Sequence, residues 1–146
     1  MQIVVKTFSE LSIDELYEVL QLRSAVFVVE QDCVYQDLDG KDQKALHVLG
    51  LKKGEVVAYT RLFAAGDYFE KASIGRVVVK QNYRAFGYGK EILQASVQAI
   101  REKFKTETMA LSAQTYLKKF YKDLGFVARG AEYLEDGIPH IKMVRG

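Results

Sequence analysis

Tryptophan is absent, and cysteine and proline occur once each, as Cys33 and Pro139. A single cysteine forms no internal disulfide, which excludes the stapled scaffolds of small secreted domains. With only two histidines, His47 and His140, the Cys/His sets of structural zinc sites cannot assemble, and no metal is expected. No Pro/Ser-rich linker divides the chain, and no internal repeat or low-complexity tract is visible. Long apolar runs are also missing. The longest spans Ala25 to Val29, against the ~20 residues that a membrane-spanning helix needs. The start MQIVVKTFSE has no basic region followed by an apolar one, so no secretory signal and a cytoplasmic setting are expected. Excess charge of one sign is lacking too: Lys+Arg 21 minus Asp+Glu 19 gives +2. No basic run or aromatic platform is organised, so nucleic acid is not an expected partner.

What is present suits one domain over residues 1–146, with 49% hydrophobic residues for a core and 27% charged ones for a surface. Gln2 to Phe8 reads as a strand. Ser12-x-x-Glu15 is a capping box opening a helix, with Ile13, Leu16, Tyr17, Leu20 and Phe27 as its apolar stripe. Glu30 to Lys44 is polar and acidic and reads as a solvated loop, able to steer a cationic amine. His47–Lys52 and Glu55–Phe63 around Lys53-Gly54 form a predicted hairpin. Ser73 to Lys80 is the strongest strand, and a loop over Gln81–Gly87 leads to an amphipathic helix ending near Phe104. A strand over Thr108–Ala113 follows, then a short helix from Tyr116 stopped by Gly125. The strands Val127–Tyr133 and Ile138–Val144 complete an α/β domain on a mixed sheet. Its strand–helix–strand unit from Ser73 to Ala113 should be parallel and right-handed.

The informative stretch is Arg84-Ala85-Phe86-Gly87-Tyr88-Gly89, between the strongest strand and the most amphipathic helix. Glycines let the backbone approach a ligand, and free N–H groups at a helix start favour an anion. Arg84 adds a forked cation suited to phosphate. A diphosphate ligand is thus expected. The pattern G-x-x-x-x-G-K-[ST] is absent, and Ile92 stands where a dinucleotide fingerprint has its third glycine. A plain structural turn stays open at this point.

Arg-x-x-Gly-x-Gly after a hydrophobic strand resembles the signature of the GNAT superfamily of acyl-CoA-dependent N-acetyltransferases. Phe120-Tyr121-Lys122-Asp123-Leu124-Gly125-Phe126 resembles that family's F-Y-x-x-x-G-F segment. Leu22-Arg23, Val26 to Gln31, Cys33, Tyr35, Asp39, His47, Gly75-Arg76-Val77 and Glu135 to His140 are similar to the ElaA-like branch. Ala85 and Phe86 depart from it, where a glycine is expected first. The resemblance implies a mostly antiparallel twisted sheet of about seven strands, with a parallel, splayed central pair and helices on both faces. It implies acetyl-CoA as cosubstrate, its pyrophosphate on the backbone of Phe86, Gly87, Tyr88, Gly89 and Lys90 beside Arg84. The pantetheine arm would lie along Val77, Val78 and Val79 and reach Gln114 and Tyr121. Tyr121 matches the acid that protonates the leaving thiolate.

Attack requires a neutral amine, while a Lys-like amine of pKa ~10.4 is mostly protonated at pH 7, so a base or a water chain to one is needed. Glu30 and His47 are the first candidates, with His140, Glu135 and Asp136 behind them. A histidine at a strand start is often only structural, and Glu30 is equally a helix-end cap. Arg61 and Arg76 sit inside apolar strands. They either reach water at an edge or form a buried ion pair, with Glu30 as one partner, that shapes the acceptor pocket. Glu30, His47, Arg61, Arg76 and His140 are therefore the expected acceptor contacts. The expected activity is acetyl transfer to a primary amine of a small molecule or peptide. A module that holds CoA or another diphosphate without transferring anything is the alternative. An unpaired outer strand leaves a homodimer open.

Overall fold

Two tight turns set the hairpins. Lys53-Gly54 has φ of 52° and 79°, and Asp136-Gly137 has φ of 52° and 77°. Such paired left-handed residues match the right-handed twist of the strands they join. In the computed structural model, which describes every residue from Met1 to Gly146, seven strands form one sheet. They are β1 (Gln2–Thr7), β2 (Leu46–Lys52), β3 (Glu55–Phe63), β4 (Ala72–Val79), β5 (Met109–Gln114), β6 (Val127–Glu135) and β7 (Ile138–Arg145). The spatial order is β1-β2-β3-β4-β5-β7-β6, and only β4 and β5 run parallel.

That parallel pair is barely a pair. Ala72 faces Met109 and Ser73 faces Ala110, and the two strands then part. Arg76 lies at φ 49°, beside a register shift where β4 leaves its ladder with β3. A non-glycine residue held there bulges the strand and turns it aside. The backbone from Ile74 to Val79 is consequently unpaired on its β5 side.

Helices cover both faces. Under α2 (Tyr88–Phe104) and α3 (Lys118–Lys122) lies the larger core, with Ile92, Leu93, Ile100, Leu111, Tyr121 and Met143. The opposite face packs Leu49, Val56, Tyr59 and Val78 against α1 (Ile13–Arg23) and the wider π-helical turns that continue it over Ser24–Glu30. The Ser12/Glu15 capping box is present. No helix is long and apolar enough to cross a membrane.

Three local expectations need correction. The apolar stripe of α1 is out of phase: Ile13 and Tyr17 are 88% and 71% exposed, while Val19, Leu22, Arg23 and Val26 are buried. Only the second half of the helix lies on the sheet, and the π turns break the 3.6-residue period that was extended to Phe27. Gln81–Phe86 is wound as 3-10 helix rather than left as loop. The acidic stretch is not a solvated loop, since Asp37 and Asp42 are buried.

Candidate active site

Where β4 and β5 part, a cavity of about 550 Å³ opens between the two faces of the sheet. Val77, Val78 and Val79 line it from the free edge of β4. That edge offers backbone donors and acceptors to an extended, amide-bearing ligand.

Beyond Val79 the chain enters the glycine turn. Gly87 has φ 75° and stands immediately before the first turn of α2. A side chain there is strained by the left-handed backbone, although a Cβ would meet nothing within 4 Å. At Gly89 a Cβ would lie 3.5 Å from Phe120 and 3.8 Å from Val79, both cavity residues. Gly87, Gly89 and Lys90 line the cavity. Phe86 and Tyr88 do not: Phe86 is 63% exposed and Tyr88 is buried beneath the helix start. Their contribution is limited to backbone. The uncapped N–H groups at the start of a 17-residue helix, with its dipole, form an anion site beside Lys90.

Arg84 spans the mouth. Its Nε donates to the carbonyl of Val79 at 3.0 Å, and its two Nη atoms donate to Glu30 at 2.5 and 2.8 Å. Hydrogen bonding to Arg84 holds the Glu30 carboxyl below the usual carboxylate range. That makes Glu30 a poor proton acceptor in this arrangement, although it lines the cavity.

Tyr121 lines the same cavity from α3 and is 5% exposed. Burial raises its phenol above the ordinary value, so it stays protonated near neutrality. Gln114, at the end of β5, is also in the lining.

The segment after Glu30 forms the other wall. Asp37 is its anchor. Its carboxylate accepts from Arg23 Nε at 2.9 Å, Arg76 Nε at 2.8 Å and the Tyr35 hydroxyl at 2.7 Å. Its carbonyl accepts from the Nη2 atoms of Arg23 and Arg76 at 3.0 and 3.1 Å. Asp42 accepts from Arg23 at 2.8 Å and Arg61 at 3.0 Å, and Asp39 takes Arg61 in a two-pronged grip at 2.8 and 2.9 Å. Three arginines and three aspartates thus knit the segment to α1, β3 and β4, and bring Cys33 and Tyr35 to the cavity wall.

This arrangement revises the expected acceptor contacts. His47 is 1% exposed and lies outside the cavity. Its Nδ1 meets the Tyr59 hydroxyl at 2.6 Å and its Nε2 the Asp42 carbonyl at 2.9 Å. Burial lowers its pKa, and both ring nitrogens are committed to structure. Arg61 is likewise buried away from the cavity, and its partners are Asp39 and Asp42 rather than Glu30. Arg76 does line the cavity, with its guanidinium held by Asp37. His140 lines it from β7, near Glu135, Asp136 and Ser112. Arg23, Tyr35 and Asp37 were missed as site-shaping residues. The available signal was an arginine on an otherwise apolar helix face, followed by an acidic tract.

A mixed sheet split at its one parallel pair, with a glycine turn and a helix start at the split, defines the fold of the acyl-CoA N-acyltransferases. The model of the acetyltransferase (GNAT) domain matches residues 5–145, and the chain belongs to that family. Among its relatives is protein ElaA of Escherichia coli K12, 43% identical over 139 residues, 94% of this chain and 91% of that one. The crystal structure of Escherichia coli ElaA superposes with a TM-score of 0.92 at 40% identity, covering 99% of both chains. An acyl-CoA N-acyltransferase from Pseudomonas aeruginosa superposes with a TM-score of 0.90, again at 40% identity and over 100% of both chains.

Proposed function

We propose that the protein transfers an acetyl group from acetyl-CoA to a primary amine of a small molecule or peptide, by direct attack in a ternary complex. The observation that carries this reading is one cavity lined at once by the glycine turn, the free edge of β4 and the phenol of Tyr121. The pyrophosphate belongs at Gly87 to Lys90, with Arg84 and Lys90 as its cations. The pantetheine arm follows Val77 to Val79, which places the thioester at the gap near Tyr121. The amine adds to the thioester carbonyl carbon, the C–S bond breaks, and Tyr121 gives its proton to the departing sulfur. A phenol of pKa ~10 and a thiol of pKa ~8.5 form a workable couple. Burial raises the Tyr121 phenol further, so it remains a neutral donor until the thiolate departs.

The test is thiol release from acetyl-CoA across a panel of primary amines, with Tyr121→Phe beside the unaltered protein. Phenylalanine keeps the packing and loses the proton. The chemical step should slow by ~10²-fold or more, the usual size of a general-acid contribution. Acetyl-CoA affinity in calorimetry should hold. An unchanged chemical step removes Tyr121 from the mechanism. Binding of CoA with no turnover on any amine returns the protein to a CoA-holding module.

A further inference from the structure

We propose that His140 is the base that removes the proton from the acceptor amine, with Glu135 as its positioning residue; the proposal rests on the transfer reading above. The cavity wall opposite Tyr121 carries the imidazole. Ile141 and Met143 belong to the core under α2, as Tyr121 does, so the alternation of β7 turns His140 to the other face of the sheet. The gap between β4 and β5 lets one cavity reach both groups. His140 is also the first residue of β7 paired on both sides, with Gln114 of β5 and Tyr133 of β6, so its backbone is fixed where the cavity begins.

The tautomer is set by geometry. Nδ1 lies 2.7 Å from the carbonyl oxygen of Ile138, which only accepts, so Nδ1 carries the proton. In the neutral ring the lone pair is therefore on Nε2. Nε2 stands 3.4 Å from a carboxylate oxygen of Glu135, a partner for the imidazolium once the proton has arrived. The second oxygen of Glu135 lies 3.4 Å from the Ser112 hydroxyl, which also bonds the Tyr133 hydroxyl. The Tyr133 ring stacks on the imidazole at 6.2 Å and 24°. His140 is 6% exposed, while the Glu135 side chain is 49% exposed, so the pair joins a dry base to water. Glu135 and Asp136 are the acidic groups of this wall, and the cationic Arg76 is already held by Asp37. The wall therefore suits a protonated amine. The other histidine has both nitrogens engaged, and Glu30 is held by Arg84.

An ammonium N–H bond breaks and an Nε2–H bond forms. The freed lone pair adds to the thioester carbon, the C–S bond breaks and sulfur takes the Tyr121 proton. The second amine proton returns to the Tyr121 oxygen, and His140 releases its proton through Glu135 to water.

The test compares propylamine with 3,3,3-trifluoropropylamine and 2,2,2-trifluoroethylamine, acceptors of similar size whose fluorines progressively lower the basicity. His140→Gln should cut the chemical step on propylamine by ~10²-fold at pH 7. The loss should shrink along the series, because a less protonated amine needs the base less. Glu135→Gln should show the same graded loss at smaller size. Equal losses on all three amines, or none on propylamine, overturn the proposal. If the unaltered protein turns over none of them, the transfer reading fails for this amine class. Imidazole nitrogen NMR on the two-histidine chain then decides the base geometry. A proton on Nδ1 of neutral His140 supports it, and one on Nε2 overturns it.

Discussion

The glycine turn on one side of the cavity and the acidic segment that backs another of its walls are built on different physics. The glycine turn, Arg84 to Gly89, presents backbone: a left-handed glycine, a helix start, and one arginine paired with Glu30 at a partly exposed mouth. The acidic segment, Asp37 to Asp42, does not line the cavity and instead stands behind the wall formed by Cys33 and Tyr35. It is fastened by buried charge from Arg23, Arg61 and Arg76. The difference matches what each must hold. On the proposed function, acetyl-CoA brings its own charge and shape, so a few N–H groups and one partly exposed cation suffice. The acceptor wall must keep a shape of its own. Bonds to Arg23, Arg61 and Arg76 restrain that wall, since moving it means uncovering a buried charge.

The sharpest way to break the contrast is Arg23→Leu. The side chain is fully buried and bonded to both Asp37 and Asp42. Its loss takes one cation from each of two buried carboxylates, leaving Asp37 with Arg76 and Tyr35 and Asp42 with Arg61, and removing one partner of a buried network costs about 3–5 kcal/mol. Urea denaturation should show that loss, accompanied by a disordered Cys33–Tyr35 wall. A loss near zero means that water enters and the segment is not fastened by charge.

Acid provides a graded version of the same test. Burial alone would raise the Asp39 carboxyl, but Arg61, the Lys41 N–H and Arg76 outweigh it and hold it at about 2, against an ordinary 3.8. Asp42 is lowered in the same way by Arg23 and Arg61 against its burial. For a carboxylate whose folded value is depressed, the unfolded chain binds more protons between the two values. The stabilisation is complete above the ordinary carboxylate range and disappears as pH falls towards about 2. Denaturation midpoints measured downward through that window should drop, and Asp39→Asn should flatten the drop. An unchanged acid profile in the variant removes Asp39 from the network.

The same contrast explains what could be read from the chain. Lys53-Gly54, the Gly87-x-Gly89 turn and the F-Y-x-x-x-G-F segment are local patterns whose meaning needs no partner, and each stands where it was expected. The acidic tract was misread because its partners are remote. A run of carboxylates looks solvated until arginines from α1, β3 and β4 converge on it. His47 was misassigned for the same reason: nothing nearby in sequence announces Tyr59 or the Asp42 carbonyl. The phase of α1 failed because only the second half of the helix meets the sheet, and because the π-helical widening that follows it leaves no clear composition signal.

On the cosubstrate side the expected effects are smaller. Gly89→Val puts a branched side chain between Phe120 and Val79, where a Cβ makes ordinary contacts of 3.5 and 3.8 Å. The fold should survive, and CoA affinity should fall by about tenfold, ~1.4 kcal/mol, in titration calorimetry. Unchanged affinity removes the pyrophosphate from the glycine turn.

The smallest effect carries the most direct information about Arg84. In the protein as described, Glu30 occupies the Nη atoms that a diphosphate would use. If acetyl-CoA takes Arg84 from Glu30, then Glu30→Gln removes a competitor, and CoA should bind more tightly. Partly exposed ion pairs are worth ~1 kcal/mol or less, so the gain is at most about fivefold. It should also shrink with salt, since charges separated by more than ~8 Å are screened at physiological ionic strength and closer exposed pairs are weakened. The quantity to follow is the ratio of variant to unaltered affinity, because salt weakens diphosphate binding in both. A ratio above one at low salt that falls towards one at high salt shows Arg84 shared between the two partners. A ratio of one at every salt concentration shows that Arg84 stays on Glu30 and the carbonyl of Val79, and that the helix start and Lys90 hold the diphosphate without it.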